Sequence, residues 1–333
     1  MEETTRPAAT RRRAIQALAS SVLLGLLATA PVLAAWPSDK PVRIVIPFAP
    51  GGATDLLGRA LALELGKSLK QTVIVENKAG AGGGIGAQVV ATAPADGYTL
   101  LLASASMFTV NPFIYAKLPY ALENFDLISK VASGPMVVTV NADVPAKSTK
   151  ELIAYAKANP GKVKFSSAGI GSQTHIAGEA FADAAGVETL HIPYKGEGPG
   201  YADLMGGAID MAVGNINAIA PLLKGGRLRA LSVTGKERSS LLPNVPTTSE
   251  DGLPGFEYTG WFALMAPAGT PKAVVQRLVE DVKQAVAQPG MKRYLDEQGM
   301  TAAIVEPDAL KSEIEKESAK WKALVAKKNI NAN

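Results

Sequence analysis

The run Val42-Arg43-Ile44-Val45-Ile46 reads as a strand. Positions 56–69 read as a helix, with Leu56, Leu57, Ala60, Leu61 and Leu65 recurring at helical spacing. Between them lies Pro47-Phe48-Ala49-Pro50-Gly51-Gly52-Ala53-Thr54-Asp55. Strand, glycine turn and helix start, in that order, commit this part of the chain to an α/β arrangement. The first N–H groups of a helix have no internal partner, and the helix dipole puts partial positive charge there. Gly51 and Gly52 let a ligand come close to that backbone. An anion such as a carboxylate or phosphate therefore fits the turn. An ordinary strand-to-helix turn with Thr54 as N-cap accounts for the same residues. For this stretch taken alone, it is the favoured reading.

The alternation continues. A β-rich run at 72–76 is followed by Gly80-Ala81-Gly82-Gly83-Gly84-Ile85-Gly86, a helix through Val90 and a short buried strand at 98–103 that ends in Ser104 and Ser106. This is the βαβ pattern of a parallel sheet, whose ligands bind beyond the carboxyl ends of the strands. The turn at 50–55, the Gly80 run and Ser104 with Ser106 all fall at that end. Near Val137-Val138-Thr139-Val140 the chain changes domain. Ser148-Thr149-Lys150-Glu151 has the form of a capping box opening a helix. A strand at 162–167 then leads into a second glycine-and-hydroxyl turn, Ala168-Gly169-Ile170-Gly171-Ser172-Gln173-Thr174-His175, and a helix over 176–185. A strand at 189–192, the turn Pro193-Tyr194-Lys195-Gly196, a helix over 201–205 and strands at 210–213 and 229–233 follow. After a proline-punctuated stretch, 258–265 reads as a return strand. Thr270-Pro271 places an N-cap and a first-turn proline before a helix over 272–287. The last helix covers 308–327. The expected organisation is two α/β domains, 36–138 with 258–333 and 139–257. Their two crossings make a hinge, so closure over a cleft is available.

The first 35 residues stand apart. Arg11-Arg12-Arg13, an apolar run over 14–27 and Val32-Leu33-Ala34 form a secretory signal peptide, with the mature chain starting near Ala35 or Trp36. The consecutive arginines raise the folded-export route, but Ala14, Ile15 and Gln16 do not supply its usual apolar pair. There is no cysteine, which removes disulfides, thiol catalysis, cysteine metal sites and a lipid-anchor cysteine. The expected home is the periplasm. The net charge of +4 falls to about +2 without the signal region, too mild to argue for nucleic acid.

Catalytic and cofactor chemistry find little support in the residue pattern. Gly82 to Ala87 contains a G-x-G-x-x-A pattern, but the partner acid about 20 residues on is missing. A close backbone approach to a ligand or to the other domain suits the glycines better. The two histidines, His175 and His191, leave no metal set. A serine hydrolase would use Ser172 or Ser167, yet there is no G-x-S-x-G. Ser172 and His175 at i and i+3 suit capping or ligand binding better than a triad. Asp55 suits the helix dipole or a ligand ammonium group. Lys195 suits a ligand carboxylate or solvent, and Asp210 is structural.

Several motifs occur together in a fixed order. They are 47–55, Glu76-Asn77-Lys78-Ala79-Gly80-Ala81-Gly82-Gly83, Asp96-Gly97-Tyr98-Thr99-Leu100, His191-Ile192-Pro193-Tyr194-Lys195-Gly196, Leu242-Pro243-Asn244-Val245-Pro246-Thr247 and Ala266-Pro267-Ala268-Gly269-Thr270-Pro271. In these the chain resembles the Bug family, the periplasmic solute-binding receptors of tripartite tricarboxylate transporters. The resemblance implies a type II periplasmic-binding-protein fold and capture of a small carboxylate by domain closure, without catalysis or cofactor. It implies delivery to membrane transporter subunits, a possible sensor partner and a monomer. It maps the first binding loop onto Phe48, Pro50, Gly51, Gly52, Ala53, Thr54 and Asp55. The facing loop maps onto Ser167, Gly171, Ser172, Thr174 and His175, the strand end onto Ser104 and Ser106, and the second-domain turn onto Tyr194, Lys195 and Gly196. The chain departs from the family pattern at Pro199-Gly200, where members often have P-A, and at Trp261-Phe262-Ala263, where they often have W-x-G.

Overall fold

Val42, Ile44, Val45 and Ile46 have no solvent-exposed surface, because the strand they form, β1 (Val42–Ile46), is covered on both faces. The computed structural model describes residues 36–332, and residues from Lys40 onward form one compact unit. The signal peptide expected over 1–35 lies outside the described residues. The glycine turn leads β1 into α1 (Ala53–Leu69). β1 lies between β2 (Val73–Asn77) and β3 (Thr99–Ser104), parallel to both. The short helices α2 (Gly84–Ala91), α3 (Ser106–Thr109) and α4 (Asn111–Ile114) follow the ends of β2 and β3.

The long strand β4 (Phe125–Asn141) joins two sheets. In the second, α5 (Thr149–Ala158) leads to β5 (Lys164–Ser167), which is parallel to β6 (Leu190–Pro193) and β7 (Met211–Asn215). α6 (Gln173–Ala185), α7 (Glu197–Met205) and α8 (Ile216–Leu223) cover it, and β8 (Leu228–Val233) completes it. The chain returns through β9 (Thr259–Pro267), antiparallel to β3. The terminal elements are α9 (Lys272–Ala287), α10 (Pro289–Glu297), β10 (Thr301–Val305) and α11 (Pro307–Lys327).

This is a type II periplasmic-binding-protein fold of two α/β domains. Phe125 to Pro135 of β4 pair with β9, and Met136 to Val140 pair with β7. Pro135 has no N–H to give to a ladder, and the handover follows it. Thr234 ties both crossings there. Its Oγ1 accepts the Met136 N–H at 2.8 Å and lies 2.6 Å from the Tyr258 carbonyl oxygen, to which it donates. One hydrophobic cluster gathers Val45, Leu101, Met107 and Met265, and a second gathers Val138, Phe165, Phe181 and Val213. α11 serves both, with Leu310 and Ile314 in the first and Trp321 and Val325 in the second.

Five helix starts differ from their expected form. Gly52, not Thr54, is the N-cap of α1. α7 begins at Glu197 rather than Tyr201, and α6 at Gln173 rather than Ile176. The Ser148 hydroxyl accepts the Glu151 N–H as a cap should, but the Glu151 carboxylate reaches past it to the Lys147 N–H, so the box is not reciprocal. Pro271 is the N-cap of α9, and the Thr270 hydroxyl donates to the Pro267 carbonyl instead.

One carboxylate of the C-terminal helix takes two indole donors. Glu317 accepts from the indole N–H of Trp261 at 2.6 Å and of Trp321 at 2.8 Å. Glu317→Ala leaves two nearly buried indole donors unpaired and should cost about 2–4 kcal/mol in chemical denaturation. Glu317→Gln keeps one acceptor and should cost less. Equal stability of all three proteins would show that these bonds are replaced by water.

Candidate functional site

The helix starts of α1 and α6, from the two domains, meet at one cavity. It is small, about 10 Å³, and is lined by Phe48, Gly52, Thr54, Ser104, Ala168, Ser172, Gln173, Thr174, Glu197, Asn215 and Phe262. The α6 cap forms as its sequence suggests. Ser172 accepts the His175 N–H, and the Thr174 Oγ1 accepts the Ala168 N–H at 2.9 Å. No acceptor among the described residues takes the amides of Thr54, Gln173 or Thr174. Ser104 closes the floor at the end of β3. It is 2 % exposed, and its hydroxyl has no hydrogen-bond partner. The hydroxyl of Ser106 is likewise buried without a partner, just below the lining.

Glu197 is the one charged side chain in the lining. Its Oε2 accepts the Ala53 N–H at 2.7 Å, from the start of α1 in the other domain. Its Oε1 accepts from the Tyr201 hydroxyl at 2.7 Å and from the Asn215 backbone and side-chain nitrogens at 3.2 and 2.9 Å. Burial and the adjoining Glu197 carboxylate push the Tyr201 hydroxyl well above its ordinary pKa, so it stays a donor. A second contact between the domains runs from the Asn217 side-chain nitrogen to the Ala53 carbonyl.

Asp55 turns away from the cavity. Its carboxylate accepts from the Gly51 N–H, from Arg59 through two nitrogens, and from Asn77. Burial works to raise its pKa, but the hydrogen bonds from Arg59, Asn77 and Gly51 outweigh it and hold the carboxyl below its usual range. With its lone pairs taken, Asp55 shapes the turn and has none left for a ligand ammonium group.

Pro50, Gly51, Ala53 and Gly196 supply backbone contact between domains rather than lining. A Cβ on Gly196 would lie 2.8 Å from the Ala49 nitrogen, and one on Gly198 would lie 2.6 Å from the Pro50 carbonyl oxygen. The Lys195 carbonyl accepts the Ala49 N–H at 3.0 Å. Lys195 and Tyr194 lie at a separate surface groove with Gly80 and Gly82, and the Tyr194 hydroxyl donates to Asp203. The Gly80 run makes the close approach that its glycines suggest, since a Cβ on Gly82 would lie 2.3 Å from the Ile170 carbonyl oxygen. Gly171, at φ +80°, packs on Asn111.

Ser167 and His175 lie beneath the lining. The Ser167 hydroxyl is 2.6 Å from His191 Nε2, and the His175 ring stacks on His191 with centroids 3.9 Å apart. The His175 Nδ1 accepts the Gly171 N–H, and Ser172 bonds to the His175 backbone rather than to its ring. The hydroxyl–imidazole contact that a Ser172–His175 hydrolase needs is therefore not made. Among the described residues, no group of three His, Asp or Glu could hold a metal ion.

Sequence reasoning missed Glu197, Asn215, Gln173, Ala168 and Phe262. Glu197 carried a usable signal, because an acid directly after Lys195-Gly196 marks a helix start four residues earlier than assumed. Ala168, Gln173 and Asn215 sit at strand ends or a helix start and Phe262 lies within β9, and none has a distinguishing pattern.

Burial pushes His191 down to about 4, and burial, then the neighbouring His191, pushes His175 down to about 3, against an ordinary value of 6.5. Both rings are neutral in the folded protein near pH 7. Between about pH 6.5 and 4 the unfolded chain binds protons that the folded one refuses. Stability should therefore fall as pH falls through that window, by up to about 1.4 kcal/mol per pH unit per histidine. Melting temperatures measured from pH 7 to 5 should show this slope, and His175→Gln/His191→Gln should flatten it. An unchanged slope in the double variant would assign the acid sensitivity elsewhere.

A family model described as the tripartite tricarboxylate transporter family receptor matches residues 57–330. The protein BugT of Bordetella pertussis is 39% identical over 298 residues, covering 89% of this chain and 91% of that one. The solved structure of the periplasmic binding protein BugD is 36% identical with a TM-score of 0.84, over 89% of this chain and 100% of that one. The structure of Rpa4515 of R. palustris with adipate is 32% identical with a TM-score of 0.85, over 89% of this chain and 99% of that one.

Proposed function

The chain belongs to the tripartite tricarboxylate transporter receptor family, and on that premise we propose that it captures a small carboxylate between its two domains and carries it to membrane transporter subunits. The observation that carries this reading is the convergence of two helix N-termini on one cavity. Their amides at Thr54, Gln173 and Thr174 have no acceptor among the described residues, and the unpartnered Ser104 hydroxyl lies beside them. Such groups favour an anion without any cationic side chain. Ser172, Thr174 and Thr54 then orient it, and Phe48 and Phe262 wall it from water. The solved relative with adipate supports a carboxylate as the ligand class.

Capture by closure needs a hinge, and β4 near Pro135 with the entry to β9 provides two crossings. The division proposed for the domains is 36–138 with 258–333 against 139–257. The protein acts as a receptor without catalysis or cofactor, and its place is the periplasm. A loaded, closed form is also what a sensor partner or the transporter would distinguish from an empty, open one.

Titration calorimetry and thermal shift of the chain from residue 36 onward, against a panel of carboxylates, test the reading. A ligand present at a hundred times its Kd should stabilise the fold by about 2.7 kcal/mol. A Cβ on Gly52 would lie 3.1 Å from Glu197 Oε2 in the closed cleft. Gly52→Leu should therefore weaken binding at least tenfold while shifting the ligand-free melting temperature by only a few degrees. Unchanged affinity in Gly52→Leu would remove the α1 turn from the site.

A further inference from the structure

We propose that Glu197 is a resident carboxylate that fills one half of the anion cradle and restricts this receptor to ligands bearing a single carboxylate. The inference rests on the receptor reading above and narrows its ligand class. The start of α1 is where a ligand carboxylate would be expected, yet the Ala53 N–H there already donates to Glu197 Oε2 at 2.7 Å. Glu197 is 6 % exposed and lines the same cavity as the unpartnered Ser104 hydroxyl.

A carboxylate has about four lone-pair sites, two on each oxygen. Oε1 is fully committed to the Tyr201 hydroxyl and the two nitrogens of Asn215, while Oε2 takes the Ala53 N–H alone and keeps one lone pair. To a second carboxylate, which has no proton to donate, Glu197 presents only negative charge, and no cationic side chain in the lining offsets it. A second ligand carboxylate directed at α1 would meet like charge in a site shielded from water, where repulsion is strongest.

The side chain is also held in place. Gly196 and Gly198 press backbone to backbone on Ala49 and Pro50, so the residue between them cannot swing out while the domains are closed. The free amides of Gln173 and Thr174 at α6, with the single free amide of Thr54 at α1, are left to take the ligand's one carboxylate. The remainder of the ligand then faces Phe48 and Phe262.

Calorimetry with pairs of equal length tests this: butyrate against succinate, hexanoate against adipate, and benzoate against terephthalate, at pH 7.5. In the unmodified protein, the monocarboxylate of the pair that binds should bind at least tenfold more tightly than its dicarboxylate. In Glu197→Gln the charge is gone, while Oε1 can still serve Tyr201 and Asn215. The ratio should shift toward the dicarboxylate by at least tenfold. A dicarboxylate bound as tightly as its monocarboxylate partner by the unmodified protein would overturn the inference and leave the receptor reading standing. So would a ratio unmoved by Glu197→Gln. The ratio in the unmodified protein needs no variant, so it decides even if Glu197→Gln does not fold. A folded protein that binds no member of any pair would overturn the receptor reading itself, and this inference with it.

Discussion

Helix starts with unsatisfied amides are the constraint around which this protein is arranged. A helix of 17 residues, α1, and one of 13 residues, α6, both begin at a strand's carboxyl end and point their first N–H groups at the same space. Water would normally take such donors. Here the domains close over them, so the donors must find protein or ligand acceptors instead. The protein supplies some. Asp55 reaches back to Gly51, Ser172 takes His175, and Glu197 crosses between domains to Ala53. The amides it leaves open are what give the cavity its chemistry.

The sheet decides why those helix starts face each other. Parallel strands β1 and β3 in one domain, and β5 and β7 in the other, end toward the cleft, and their turns follow. Because β4 runs through both sheets, the two sets of strand ends share one frame. Two stretches of backbone cross between them, β4 at Pro135 and the entry to β9. α11 adds a third tie, since its first half packs on one core and its second half on the other.

Much of this was legible in the residue pattern, and the parts that were not share a cause. The strand–glycine–helix units at 47–55 and 168–175 announce themselves through local spacing, and both reach the cavity. So does Ser104, at the end of a buried strand, while the Gly80 run touches the other domain at a separate groove. What local pattern cannot carry is the partner from elsewhere in the chain. Thr54 looked like a cap because its neighbours suggested one, whereas Glu197, 144 positions away, takes the Ala53 amide. Asp55 looked available to a ligand because Asn77, 22 positions away, completes the set that Arg59 and Gly51 begin locally. Ser167 and His175 looked like cleft residues, but β6 brings His191 beneath them and turns both side chains into packing.

The same logic explains why the cavity contains a carboxylate at all. Two opposed positive helix ends brought together without an anion would resist closure, because their dipoles repel and their amides lose water. A carboxylate carried on α7 and tied to Tyr201 and Asn215 removes half of that cost each time the domains meet. It leaves the other half to whatever enters. In the proposed receptor, closure then depends on a ligand that completes the set rather than duplicates it, so a residue that looks like a structural cap would also set what the site accepts.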